Sequence, residues 1–173
     1  FTALVDRVED YPNPERIYLK LGSAYTALKK MDAAIRAYEW IQKNAAQTSS
    51  AHDATYRIAG LYEQTGKLDE AMSLYERAAS AAMNDTAAKA RFRLGELFES
   101  KEEYDTAAKN FMRVAILFLH PTLSPESMWR AGQCFEKGDH RDSAVKIYSD
   151  IVSEYPDSKQ AENAKARLAE LKA

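Results

Sequence analysis

Cysteine occurs once in the 173 residues, as Cys134, so no intrachain disulfide can brace the fold. Glycine and proline are also scarce, six and five residues, and they do not cluster. That scarcity leaves no low-complexity linker and no glycine-rich loop of the kind that cradles phosphates. No apolar run approaches the ~18 residues a membrane-spanning helix needs, so no direct membrane insertion is expected of these residues. Charge of one sign is lacking as well: 24 Lys and Arg face 26 Asp and Glu, for a formal net charge of −2. A protein so balanced offers no broad footprint for nucleic acid or an acidic lipid surface. The three histidines, His52, His120 and His140, fall in separate segments without ligand spacing. No GxSxG elbow is present, and the pair Glu102 and Glu103 falls in a predicted turn, where two carboxylates are solvated rather than held for catalysis. Neither an enzyme, nor a metal, nor a cofactor is expected. Cys134 reads as a small buried apolar residue.

What the chain has in quantity is a repeat. The stretch His52–Met83 carries apolar residues at helical spacing in two runs, Ile58, Leu61 and Tyr62, then Met72, Tyr75 and Ala78, parted by the turn Thr65-Gly66-Lys67. Aligned on the ring of the first run, the chain repeats at Tyr25, Tyr62, Phe98 and Phe135, with spacings of 37, 36 and 37 residues. Three residues before each ring stands a small residue: Gly22, Ala59, Gly95, Gly132. Nine after it stands an alanine, Ala34, Ala71, Ala107 or Ala144, and thirteen after it another ring, Tyr38, Tyr75, Phe111 or Tyr148. Small residues let antiparallel helices approach closely, and the ring four residues beyond the alanine fills the adjoining space. A single hairpin cannot bury its apolar face alone, so the repeats must stack.

This pattern resembles the tetratricopeptide repeat over nearly the whole chain. It is met best from Met128 to Pro156. Thr55 and Arg91 depart from it at the first large residue, and the period exceeds the family's usual one. The resemblance implies an all-α, right-handed α-solenoid of antiparallel helix hairpins, in one domain over residues 1–173. The expected divisions are the second half of a preceding repeat (1–13), four repeats (14–49, 50–84, 85–121 and 122–157) and a capping helix (158–173). Phe1–Pro12 aligns with Val145–Pro156, which predicts at least one further hairpin upstream. Asn13 is expected to cap the first helix, running to about Lys29, with its partner from Asp32 to about Ala45. Thr48–Ser50 and Asn84–Thr86 are expected to cap the next two first helices. The link around His120-Pro121 is expected to be the longest break, suited to a flexible or contacting loop. In the last helix Ala161, Ala164, Leu168 and Leu171 share one face.

First-helix residues that point away from the hairpin seam are the candidate partner-binding groove. Six before each key ring stand Leu19, Tyr56, Phe92 and Trp129; five before it stand Lys20, Arg57, Arg93 and Arg130. Together with Lys89 they form apolar platforms beside cations, a surface suited to an extended peptide with apolar and acidic side chains. The same residues also suit plain packing, the rings between adjacent first helices and the arginines against Glu63, Glu96, Glu99 and Glu136. Lys89 and Arg93 resemble two cations of the family's carboxylate clamp for chaperone tails, while Ser23 and Gly60 stand where that clamp has asparagines. The function expected is that of a protein–protein interaction scaffold. Alternatives are the regulatory arm of a larger enzyme, or a self-assembling homo-oligomer joined through the apolar run Val114–Leu119. The segment Glu154–Ser158 with the alanine-rich helix after it is similar to bacterial cell-envelope members of the superfamily, which implies a periplasmic or membrane-associated complex.

Overall fold

The computed structural model describes Val8, residues 11–118 and residues 120–172. Among the described residues there are nine helices and no strand: α1 (Pro14–Ala27), α2 (Met31–Asn44), α3 (Ser49–Gln64), α4 (Leu68–Ala81), α5 (Asp85–Ser100), α6 (Tyr104–Phe118), α7 (Leu123–Lys137), α8 (Arg141–Glu154) and α9 (Lys159–Lys172). The chain is an all-α helical-repeat solenoid, and it divides into two compact units, Phe1–Ala82 and Met83–Ala173. Unit 1 holds the hairpins α1–α2 and α3–α4. Unit 2 holds α5–α6 and α7–α8, followed by α9. Of the segment aligned with Val145–Pro156, all but Val8, Tyr11 and Pro12 lies outside the described residues; Val8 is buried in the core of unit 1.

One turn closes all four hairpins. Each first helix ends where a residue four beyond the key ring adopts a left-handed conformation: Lys29 (φ 57°), Gly66 (φ 78°), Glu102 (φ 62°) and Asp139 (φ 60°). This reverses the chain and lets the next N–H reach back to the carbonyl of the ring residue, at 2.9 Å for Lys30 to Tyr25, Lys67 to Tyr62 and Glu103 to Phe98, and 2.8 Å for His140 to Phe135. Only Gly66 takes that conformation free of steric cost; the other three hold it against the preference of a side-chain-bearing residue. The turn ends α1 at Ala27, so Lys29 lies beyond the helix that was expected to reach it. In each hairpin the repeated alanine then donates the first helical hydrogen bond of the second helix, Ala34 to Lys30 and Ala107 to Glu103 among them.

The small residue and the second ring interlock. A Cβ placed on Gly22 would lie 2.3 Å from the Tyr38 ring, on Gly95 2.6 Å from Phe111, and on Gly132 2.4 Å from Tyr148. Those rings pack against the glycine backbone itself and are buried, as are all four repeated alanines. In α3 the small residue is Ala59, and both it and Tyr75 are buried. Thr55, standing where the family has a large apolar residue, is buried yet satisfied: its Oγ1 donates to the Ala51 carbonyl and accepts from Gln42 Nε2, both at 2.9 Å.

Two of the three caps expected from the sequence form. Thr48 Oγ1 accepts from the Ala51 N–H, and Asn84 Oδ1 from the Ala87 N–H at 2.9 Å. Asn13 occupies the cap position of α1 in a left-handed conformation (φ 57°), and its side chain makes no capping bond, contrary to expectation. At α7 the cap position is held by Thr122, whose side chain makes no capping bond, and His120 serves in its place: its Nδ1 accepts from the Leu123 N–H at 3.1 Å while its Nε2 lies 3.3 Å from Asp85 Oδ1. The link before α7 is therefore short and anchored, and Ser124 and Pro125 behind it are buried. Ala161 and Ala164 of α9 are buried against unit 2, with Leu168 and Leu171 packed beside them.

Candidate partner-binding faces

In unit 1, α1 and α3 place the four candidate residues by the same helical register. Leu19 is half-buried on the core, and the half-buried Tyr56 ring tilts against Tyr75 at a centroid distance of 5.5 Å. Lys20 and Arg57 are exposed, and among the described residues neither makes an ion pair.

In unit 2 the equivalent rings lean on the second helices of their own hairpins: Phe92 on Phe111 and Trp129 on Tyr148, each at 5.1 Å. The cations are engaged. Arg130 donates from Nε and Nη2 to Glu99 Oε2 at 3.2 and 2.6 Å and from Nη1 to Glu96 Oε1 at 3.3 Å, and its guanidinium lies over the Phe111 ring at 5.2 Å. Arg93 pairs with Glu96, and Lys89 with Asp85 at 2.5 Å. Lys137 takes the remaining oxygen of Glu99 at 2.7 Å. The packing alternative thus describes Arg93 and Arg130 as they stand, whereas Phe92 and Trp129 lean on the seam rings of their own hairpins rather than between adjacent first helices.

One member of this system was missed in the sequence. Arg167 of α9 donates to Glu136 at 2.5 Å, the same link that Arg130 makes to Glu99, and both span 31 residues. The signal was present, because Arg167 follows Arg130 by one repeat length. Its neighbours there are lysine and alanine rather than Met128 and Trp129, and the register was not carried into the last helix.

The electrostatics follow from these contacts. Burial opposes the charge of Glu99, but hydrogen bonds from Lys137 and Arg130 hold its pKa below the ordinary carboxylate value. Glu136 is lowered in the same way, against burial, by Arg167 and then by the Tyr148 hydroxyl, which donates to it at 2.5 Å. Burial opposes the charge of Arg130 too, and Glu99 then raises its pKa. Cys134 is buried, and that burial, with Glu99 nearby, pushes its thiol up to about 12. A thiol so disposed is a packing residue rather than a nucleophile.

Among the described residues no group of three His, Cys, Asp or Glu side chains could hold a metal ion, and no helix is long and apolar enough to cross a membrane. The apolar run ending α6 divides: Val114 and Ala115 are buried, Ile116 and Leu117 are exposed, and Leu119 lies outside the described residues.

Two family models, each described as tetratricopeptide repeat, match residues 19–86 and 126–158, together more than half of the chain. No curated protein sequence matches it. Among solved structures the chain is similar to the MamA protein (19% identity, 91% of this chain and 82% of that one, TM-score 0.66). It is also similar to the N-terminal domain of stress-induced protein-1 from C. elegans (16%, 71% and 95%, TM-score 0.60). A third is YrrB, described as a TPR protein with an unusual peptide-binding site (16%, 90% and 74%, TM-score 0.64). Four hairpins closed by one turn, the interlocked glycines and rings, and both family matches agree: the chain belongs to the tetratricopeptide repeat family, whose fold is that of a protein–protein interaction scaffold and whose members are generally non-enzymatic modules.

Proposed function

We propose that the chain binds an extended, acidic and apolar peptide segment of a partner protein along its first-helix faces, with charge recognition concentrated in unit 1. The carrying observation is Arg57. Arg130 and Arg167 each hold a carboxylate 31 residues earlier, and the residue 31 before Arg57 is Thr26, whose hydroxyl donates to the Gly22 carbonyl at 2.9 Å. Unit 1 therefore lacks the internal acid at the place where unit 2 supplies one, and Arg57 and Lys20 present their charges to a ligand. Leu19 and Tyr56 offer apolar contact beside them. In unit 2 the corresponding residues are Phe92, Trp129, Lys89, Arg93 and Arg130, whose cations are held by Asp85, Glu96 and Glu99.

Thr26→Glu tests this directly, because it inserts the missing carboxylate. A labelled peptide alternating leucine with glutamate should bind the parent, and Thr26→Glu should weaken binding about tenfold while leaving melting unchanged or raised. Arg57→Glu should weaken it similarly. Equal affinity for parent and both variants would defeat the reading.

Self-assembly is a second reading, favoured by the adjacent exposed side chains Ile116 and Leu117 at the end of α6. Sedimentation across a concentration series should then show a dimer that Ile116→Lys abolishes. A place in a bacterial cell-envelope complex rests on Glu154–Ser158. Ser158 there caps α9, accepting from the Ala161 N–H at 3.1 Å, so a structural duty accounts for part of that motif. Fractionation of the native cell tests the location.

A further inference from the structure

A second face of unit 1, lined by α2, α3 and α4, carries two adjoining hollows that play no part in the first-helix reading. The larger, about 520 Å³, has Ile58, Tyr62 and Leu74 among its walls, with Glu39, Glu70 and Arg77 beside them. The smaller, about 150 Å³, shares Gln42 and Arg77 with it and is lined in part by His52, whose Nδ1 is shielded from solvent and has no hydrogen-bond partner among the described residues. Glu39, Glu70 and Arg77 are exposed, and among the described residues none of the three makes an ion pair.

The repeat shows that this composition is not demanded by the hairpin. Eight residues after the key ring the other copies carry Ala33, Thr106 and Ser143, whereas here stands Glu70. Eleven after it the others carry a cation, Arg36, Lys109 or Lys146, whereas here stands Ser73. Relative to copies with a neutral residue and a cation, this hollow has gained one negative charge and lost one positive charge. Both changes fall on residues that line it. Scaffold packing explains neither, since all four hairpins close by the same turn and bury the same alanines.

We propose that this hollow is a second docking surface, for a partner segment that presents a large apolar side chain flanked by lysine or arginine. The apolar side chain fills the space beside Ile58, Tyr62 and Leu74, the kind of desolvated pocket that supplies most of the energy of a small interface. The flanking cation meets Glu39 and Glu70, which gives direction and selectivity. Arg77 sets the polarity: it lies seven residues from Glu70 along α4, about 10 Å at helical rise, and repels a cation placed at its own end.

The probe is a fluorescein-labelled octapeptide with two leucines flanked by arginines, titrated into the full chain and followed by anisotropy. Binding is expected. Glu70→Ala with Ser73→Lys installs residues that other copies of the repeat already carry, so the hairpin should fold and melt as the parent does, while affinity falls by about tenfold or more. Replacing the leucines by serine, or the arginines by glutamate, should lower affinity to a similar degree. Lys20→Glu with Arg57→Glu, on the first-helix face, should leave this probe's affinity unchanged, which separates this site from the one proposed above. The proposal is overturned by an absence of binding at millimolar peptide, by a serine probe as tight as the leucine probe, or by a double variant indistinguishable from the parent.

Discussion

The two hairpins of unit 2 differ by one oxygen atom at the heart of the seam. In α7–α8 the ring over Gly132 is Tyr148, and its hydroxyl donates to Glu136 at 2.5 Å. In α5–α6 the ring over Gly95 is Phe111, without a hydroxyl, and the equivalent carboxylate, Glu99, has both oxygens free of the seam and gives them to Arg130 and Lys137 of α7. Tyr75 repeats the first arrangement in unit 1, donating to Glu63 at 2.9 Å. One register position thus braces a ring within its hairpin, as at Glu63, binds the following first helix, as at Glu99, or does both, as at Glu136, which accepts from Tyr148 and from Arg167 of α9. Which of these happens is decided by the residue on the neighbouring helix. A cation ladder read along first helices is accordingly part staple and part surface, and only the contents of the facing position separate the two.

The ring-on-glycine seam is the feature most easily broken. Gly95→Ala forces a methyl to within 2.6 Å of the Phe111 ring, which is buried on all sides, and should cost about 2 to 3 kcal/mol in urea unfolding. An unchanged midpoint would mean that the ring can move and that the seam is looser than drawn.

The two uses of the carboxylate come next. Glu99→Gln leaves the half-buried Arg130 with Glu96 as its one charged acceptor among the described residues, and should cost about 1.5 kcal/mol at neutral pH. The pH dependence has a definite sign. Glu99 and Glu136 have folded pKa values lowered against an unfolded value near 4.3, so their contribution is complete above that pH and is lost as the pH falls through the lowered values. Urea melts from pH 6 to about 3 should show stability falling with acid, less steeply in Glu99→Gln than in the parent. Equal slopes would remove Glu99 from the linkage.

A smaller effect of opposite sign is expected at the start of α7. Ser127 is fully buried, its Oγ has no hydrogen-bond partner among the described residues, and the equivalent places in α3 and α5 hold Ala54 and Ala90, also fully buried. Ser127→Ala should raise stability by about 1 kcal/mol, because a desolvated hydroxyl is exchanged for a methyl in a space already shaped for alanine. A loss instead would show that the hydroxyl has found a partner.

The sequence conveyed the hairpins, their register and their core almost completely, because the 37, 36 and 37 residue spacing ties four independent segments to one geometry. What it conveyed poorly was anything set by a residue on another helix. Arg57 and Arg130 look alike in the ladder, yet the residue 31 positions earlier is Thr26 for one and Glu99, its ion-pair partner, for the other. Asn13 looks like a cap by composition, but its left-handed backbone comes without a capping bond. His120 looks like a helix end and turns out to cap the next helix, since the link is short enough for its ring to reach Leu123. The left-handed residues Lys29, Glu102 and Asp139 are not glycines and so were not announced by composition. Periodicity reports what each segment repeats, whereas these features depend on what faces it.

The smallest predicted change is also the one most specific to the contrast between seams. Gly60 of α3 lies next to Ala59, and a Cβ placed on it would meet the Tyr75 hydroxyl at 3.5 Å, an ordinary contact, where the same atom on Gly95 would collide with a ring. Its backbone is helical, so alanine meets no conformational penalty and removes the freedom that a glycine retains in the unfolded chain. Gly60→Ala should therefore raise stability by about 0.5 kcal/mol, opposite in sign to Gly95→Ala although both exchange a first-helix glycine for the same residue. A loss on Gly60→Ala would place the Tyr75 ring over residue 60, and hairpin α3–α4 would then share the glycine seam of the other three with its register moved by one residue.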